Sequence, residues 1–263
     1  MARKFKAEVT ELLDLMIHSL YSDREIFLRE LVSNAADALD KSRFLALTRE
    51  DLLEATEGDH GIRVVADQDA GTIVIEDDGI GMTEEEVISY LGTIAHSGSK
   101  QFLEALKEGE GSAPELIGQF GVGFYSAFMV AEEVKVETRH ALPDSAGVSW
   151  RSKGKGTYDL GSCDKQTRGT RITLTLREDA SEFLDDWRLK DIVKRYSNFL
   201  PWPVFVGEEK ANQAHAVWQE QPSQVSEEQA NEFYKSLSND YRDPAHRIHL
   251  KVCLLYTSDA ADE

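Results

Sequence analysis

The chain has 263 residues, 41% of them hydrophobic, enough apolar material for one large domain or for one domain and part of another. Lys and Arg number 29 against 48 Asp and Glu, a formal net charge of −19; this argues against nucleic acid or an anionic membrane as the main partner, because phosphates are gathered mainly by clustered Lys and Arg. The two cysteines, Cys163 and Cys253, stand far apart and outside any CxxC spacing, so neither a disulfide framework nor a zinc site is implied, and a reducing compartment, by default the cytoplasm, is expected.

In chain order, the opening MARKFKAEVTELLDLMIHSLYS is interrupted by Glu8, Glu11 and Asp14, which marks an amphipathic helix over about 5–20 rather than a signal peptide. No apolar run approaches the twenty residues that a membrane-spanning helix needs. A second helix is expected over 23–47, capped by Ser22 or Asp23. IRVVAD (62–67) and TIVIED (72–77) are β-branched runs separated by the turn signal QDAG, a hairpin pattern. Thr83 and Glu86 have capping-box spacing, opening a helix at TEEEVISYL. Residues 92–123 are rich in glycine and mix a helical piece, SKQFLEALKEG, with loop signals; a segment of this kind is commonly functional. Strands return at 134–139, 147–152 and 169–176, followed by a helix over 185–199 and the short run WPVFV. Hairpins flanked by helices, without strict βα alternation, predict an α+β fold: a two-layer sandwich with one mixed, largely antiparallel sheet under helices. The composition shift at about 207–230 predicts a linker, and no internal repeat is present. The closing CLLYTSDAADE (253–263) continues no pattern and resembles the translation of a transposase adapter used in sequencing-library preparation; these residues are expected to be non-native, with the natural protein continuing past residue 252.

Within the second helix, Glu30, Asn34, Asp37 and Lys41 follow at spacings of four, three and four, which places them within roughly 60° of arc on one face. A carboxylate and an amide one turn apart suit water activation beside a magnesium-bound phosphate, Asn34 offering its carbonyl oxygen to the cation and Glu30 accepting a proton. The same row also fits an ordinary solvated stripe. DDGIGM (77–82) puts a carboxylate at a strand end next to a closely approachable backbone, although isolated Asp-Gly turns are common. IGQFGVGF (117–124) supplies Gly118, Gly121 and Gly123, whose N–H groups can cradle phosphates where a helix opens at FYSAFMV. Its GxxGxG spacing is neither a P-loop, since no GxxxxGK[ST] occurs, nor a Rossmann turn.

The order of these pieces is more specific than any one of them. ExxxNxxDA on a helix, DxGxG after a strand, GxxGxG before a helix and Gly169-Thr170 opening a late strand resemble the ATP-binding fold of gyrase, heat-shock protein 90, histidine kinases and mismatch-repair ATPases. YSDREIFLRELVSNAADALDKSRF, DDGIGMTEEEVISYLGTIAHSGSKQF and IGQFGVGFYSAFMVA look closely like the bacterial heat-shock protein 90 chaperones, and EFYKSLSNDYRDP (232–244) resembles the start of that family's middle domain.

That resemblance implies an ATP-binding domain over 1–215 with a lid at about 92–123, then a linker and the start of a middle domain over 216–252. By analogy Glu30 is the general base, and Asn34 coordinates the Mg²⁺ that accompanies ATP or ADP. Asp77 accepts from the adenine amine, supported by Gly81 and Thr170, and Met82 lines the base pocket. Asp37 and Lys41 are phosphate-side or supporting groups. Gly118, Gly121, Val122, Gly123 and Phe124 contact the phosphates, and His96 stands where many relatives carry Lys. The implied function is an ATP-dependent chaperone with client proteins and co-chaperones as partners, a homodimer at full length and a monomer as this piece. Because the family's middle domain supplies an arginine to the terminal phosphate, little turnover is expected from this piece alone. A DNA-topology or repair ATPase of the same fold is the alternative, disfavoured by the acidic charge.

Overall fold

The computed structural model describes residues 23–47, 49, 51–52, 60–93, 98–99, 117, 121–214, 218, 220–221, 223–238, 240 and 242–248. The helix expected over 5–20, most of the 92–123 stretch and the tail after 252 lie outside them. The chain divides into two compact units, residues 1–214 and 215–263.

The first unit is α+β. Helix α1 (Ile26–Ala46) is followed by the hairpin β1 (Ile62–Asp67) and β2 (Thr72–Asp77), then by α2 (Glu84–Leu91) and a 3₁₀ helix, η1 (Gly123–Met129). Strands β3 (Ala131–Arg139), β4 (Gly147–Ser152), β5 (Tyr158–Cys163) and β6 (Gly169–Leu176) come next, then η2 (Glu178–Leu184), α3 (Asp186–Tyr196), β7 (Val204–Val206) and β8 (Glu209–Lys210). The eight strands form one sheet in the order β5-β4-β3-β6-β2-β1-β7-β8. Every neighbouring pair is antiparallel except β1 with β7.

Period-two patterning explains how the sheet meets its helices. Ile62 and Val64 of β1, Ile73 and Ile75 of β2, Val134 and Val136 of β3 and Leu174 of β6 are all buried, and α1 covers them with Phe27, Leu28, Leu31, Val32, Ala35 and Leu39. The opposite face carries ion pairs such as Glu76 with Arg171 at 2.9 Å and Lys165 at 3.2 Å. The β1–β2 turn closes with Gly71 at φ +66°, and the capping box forms as read, Thr83 N donating to Glu86 and Glu86 N to the Thr83 hydroxyl.

Four local expectations need correction. Helix α1 starts at Ile26 and has no side-chain cap; Asp23 accepts instead from Glu25 N (3.0 Å) in the preceding turn. The buried Glu25 is held by Arg188 at 2.5 Å and Arg195 at 2.8 Å, both on α3, so tertiary ion pairing fixes the helix entry where a cap would have done. FYSAFMV forms the tighter η1, with Tyr125 N donating to Val122 O. Strand β5 had no counterpart in the sequence reading, because YDLGSC is an edge strand and none of its residues is buried. The linker expected from 207 begins later. Residues 209–210 pair with β7, and the buried Asn212 accepts from Val204 N while donating to Trp202 O.

In the second unit, α4 (Glu227–Ser238) opens with a reciprocal cap between Ser226 and Gln229. The Trp218 and Phe233 rings pack with centroids 5.3 Å apart. Among the described residues no helix is long and apolar enough to cross a membrane.

Candidate functional site

Three polar residues interrupt the apolar inner face of the sheet at one level. Asp77 at the end of β2 pairs with Thr170 of β6, which pairs with Thr138 of β3. Asp77 and Thr170 of this row line a cavity of about 910 Å³ between the sheet and α1, together with Gly81, Met82, Asn34 and Glu30 among others.

The row is tightly organised. The Thr138 hydroxyl, fully buried, donates to Gly169 O (3.1 Å), accepts from Met82 N (3.0 Å) and lies 3.0 Å from the Thr170 hydroxyl. Asp77 accepts from Gly79 N at 2.9 Å. Burial pushes its carboxyl up to about 7; the neighbouring Asp78 adds to that, while the Gly79 and Thr170 N–H groups and Lys165 oppose it. Buried ionised carboxylates are disfavoured in this way when their hydrogen bonds do not fully replace water.

The glycines of DDGIGM have separate steric reasons. A Cβ on Gly79 would lie 2.6 Å from the carbonyl carbon of Ala38, where Ile80 N donates to Ala38 O at 3.0 Å. Gly81 has φ +66°, and a Cβ there would overlap Arg139 O. The loop is thus pressed between α1 and β3, which holds Met82 at the cavity wall.

At the other end of the cavity, Glu30 and Asn34 meet Gly121, Val122, Gly123 and Phe124. Gly121 has φ +66°, and a Cβ on Gly123 would overlap the Glu30 carboxylate, so a side chain there would displace that carboxylate from its present position. Arg29 grips the same carboxylate, its Nη2 lying 2.5 Å from Oε1. Lys41, Glu86, Tyr90 and His140 line the rim. Burial lowers the Lys41 ammonium, with Asp37 and Glu86 opposing. His140 is lowered by burial too, and its Nδ1 accepts from Leu142 N at 3.0 Å.

The helix row divides. Glu30, Asn34 and Lys41 line the cavity, whereas the buried Asp37 accepts from the Ser99 hydroxyl (2.9 Å) and from Ile117 N (2.8 Å). It therefore joins α1 to two points within the glycine-rich stretch, Ser99 and Ile117. Asp77, Gly81, Met82, Thr170, Gly121, Val122, Gly123 and Phe124 line one cavity, as the family resemblance implied; His96 and Gly118 lie outside the described residues.

A family model described as "Histidine kinase-, DNA gyrase B-, and HSP90-like ATPase" matches residues 21–191. The chain belongs to this ATPase family. A second family model, "Hsp90 protein", matches residues 205–253. Among similar proteins, the "Chaperone protein HtpG" of Chlorobium phaeobacteroides (strain DSM 266 / SMG 266 / 2430) is 51% identical over 250 residues, covering 95% of this chain and 40% of the relative. That of Pasteurella multocida (strain Pm70) is 50% identical over 265 residues, covering 95% and 42%. That of Escherichia coli O9:H4 (strain HS) is 50% identical over 264 residues, again covering 95% and 42%. The chain spans about 40% of the length of the first of these relatives.

Around this ATPase-family pocket, sequence reasoning missed Arg29, which lines it, and Thr138, which hydrogen-bonds to the lining residues Met82 and Thr170. Thr138 had a usable signal, because it is the polar member of the inward series Val134, Val136, Thr138. Arg29 had none, since a charged neighbour of Glu30 on an exposed helix edge is unremarkable.

Proposed function

We propose that this chain is the nucleotide-binding part of an ATP-dependent molecular chaperone, binding ADP and ATP with magnesium in the cavity between α1 and the sheet. The observation that carries the reading is the buried acceptor Asp77 at one end of the cavity, with Glu30 and Asn34 beside the glycine backbone at the other. An adenine placed on the row of Asp77 and Thr170 directs its exocyclic amine at Asp77. A guanine would present a carbonyl oxygen there, acceptor against acceptor, and be rejected. Gly81 and Thr170 support the base edge, and Met82 packs against the ring.

The phosphates then extend toward Asn34 and the Gly121–Phe124 backbone, with Lys41 at the rim. Among the described residues no cluster of three His, Cys, Asp or Glu side chains is placed to hold a metal. A magnesium ion arriving on the nucleotide would take one protein oxygen, from Asn34, and keep phosphate and water ligands. The ion would neutralise phosphate charge. Glu30, released from Arg29, is the group placed to take a proton from an attacking water. In the complete protein, hydrolysis would drive conformational change in a cytoplasmic homodimer acting on client proteins, as the similarity to HtpG chaperones supports. Residues 1–215 form the nucleotide-binding domain in this reading, and 216–252 begin the next.

Isothermal titration of this chain with Mg-ADP, Mg-GDP and the Asp77→Asn variant tests the reading. ADP should bind, GDP should not, and Asp77→Asn should weaken ADP by about a hundredfold or more, because a donor then faces the adenine amine. Unchanged ADP affinity in the variant would remove the adenine assignment.

A further inference from the structure

Asp77 is followed directly by a second carboxylate, and the two serve different surroundings. Asp77 lines the cavity and accepts from Gly79 N. Asp78 is held outside it, at the entrance to β1, with Oδ2 2.6 Å from His60 Nδ1 and Oδ1 accepting from Gly61 N at 3.3 Å. These contacts pin Asp78, so its charge cannot swing away from its neighbour. Gly169 closes the other side, where a Cβ would lie 2.8 Å from the Asp78 Cα.

We propose that Asp78 is a positioning residue for adenine recognition that acts through charge: in addition to burial, it narrows from the acid side the pH range over which Asp77 can accept the base. The inference rests on the reading of Asp77 as the adenine acceptor. An ionised carboxylate makes a charge-assisted bond to the amine, roughly twice as strong as the bond to a neutral acid. Whatever fixes the ionisation of Asp77 therefore fixes the acidic limit of tight binding. Asp78 disfavours that ionisation as a like charge in a poorly screened place. The opposing cations come from the turn before β6: Lys165, whose ammonium is shared with Glu76 at 3.2 Å, and Arg168, which feels both aspartates. His60 faces Asp78 from the residues preceding β1.

A purely mechanical role for Asp78, tying the DDGIGM loop to β1, makes a different prediction from a role in charge. Asp78→Asn keeps an acceptor for Gly61 N and an amide for His60 while removing the charge. Asp78→Ala removes both. The test is a carbon-13 titration of the Asp77 carboxyl in the ligand-free chain and its two variants, with ADP affinity measured by calorimetry from pH 5.5 to 8.5 in the same three proteins. The terminal phosphate of ADP titrates alike in all three, so differences between the profiles isolate the protein.

Both variants should lower the Asp77 midpoint by about half a unit to one unit, and the acidic limit of ADP binding should move down with it, raising affinity at pH 6 several-fold. If Asp78→Asn leaves the midpoint at its wild-type value, whatever Asp78→Ala does, the proposal is overturned and the residue is a mechanical tie. If the midpoint falls but the ADP profile stays in place, Asp77 does not contact the base. The proposal then fails through the reading beneath it, a result distinct from the first.

Discussion

Asp77→Asn should make the empty domain more stable at neutral pH while it weakens nucleotide binding. Asp77 is 7% exposed, and burial moves its carboxyl from 3.8 to about 7. Between those values the native state holds a proton that the unfolded chain has released, so wild-type stability falls as pH rises through this window and levels off above it. A shift of about three units at about 1.4 kcal/mol each corresponds to about 4 kcal/mol once ionisation is complete. Evaluated at two pH values, the ionisation cost is about 2 kcal/mol at pH 5 and about 4 kcal/mol at pH 8. Asparagine carries no such cost and keeps an oxygen for the Gly79 N–H; its added amide faces the cavity. The stability advantage of the variant over wild type should therefore grow by about 2–3 kcal/mol from pH 5 to pH 8, about 1 M in urea midpoint. Every other titrating group is common to both proteins and cancels. Urea unfolding by circular dichroism at the two pH values measures the difference. An advantage that does not change with pH, or a variant less stable than wild type at pH 8, would refute the reasoning.

Three further outcomes are expected. Gly81→Ala places a Cβ against Arg139 O at a φ of +66°, and should cost about 2–3 kcal/mol in urea unfolding; an unchanged midpoint would show that the DDGIGM loop relaxes freely. Asn34→Ala should abolish the difference in ADP affinity measured with magnesium and with EDTA, whereas a preserved difference would place the metal elsewhere. Asp37→Ala removes the acceptor shared by the Ser99 hydroxyl and Ile117 N, and ADP release in stopped-flow should accelerate several-fold; an unaltered rate would deny that tie any part in retaining nucleotide.

Much of the fold could be read where local chemistry carries the signal. The β1–β2 hairpin, the Thr83–Glu86 box and the apolar stripe of α1 are set by neighbours in sequence, and they form where their patterns lie. Strand β5 was unreadable because an edge strand with no buried residue has no inward face to create alternation. The start of α1 was misplaced because the ion pairs of Glu25 come from residues more than 160 positions away, beyond the reach of any capping rule. The cavity walls were implied by the family resemblance that the order of the motifs carries, yet the division of labour along α1 was not. Asp37 shares its face of the helix with Glu30, Asn34 and Lys41, but angular position alone does not say what stands opposite. Ser99 and Ile117 arrive there from 62 and 80 residues away.

The pocket exists because two different periodicities are brought together at a place where side chains are small. Along α1 the period of 3.6 delivers Glu30, Asn34, Ala38 and Lys41 to one side; along β2, β3 and β6 the period of two delivers Asp77, Thr138 and Thr170 to one row. Beside that row the cavity is lined by apolar residues of the same sheet face, Ile75, Val136 and Ile172. Asp77 and Thr170 cannot be covered by Leu31 or Leu39 without losing hydrogen bonds, which disfavours closing the layers over that end of the cavity. What keeps them from parting further is the contact of Ala38 O with Ile80 N, possible only because Gly79 carries no side chain beneath it. The same contact fixes the loop that presents Gly81 and Met82. One backbone hydrogen bond and one missing Cβ thus hold the loop after Asp77 against α1, and Asp77 can remain buried at a cost in stability because the surrounding core of α1 and the sheet is large enough to bear it.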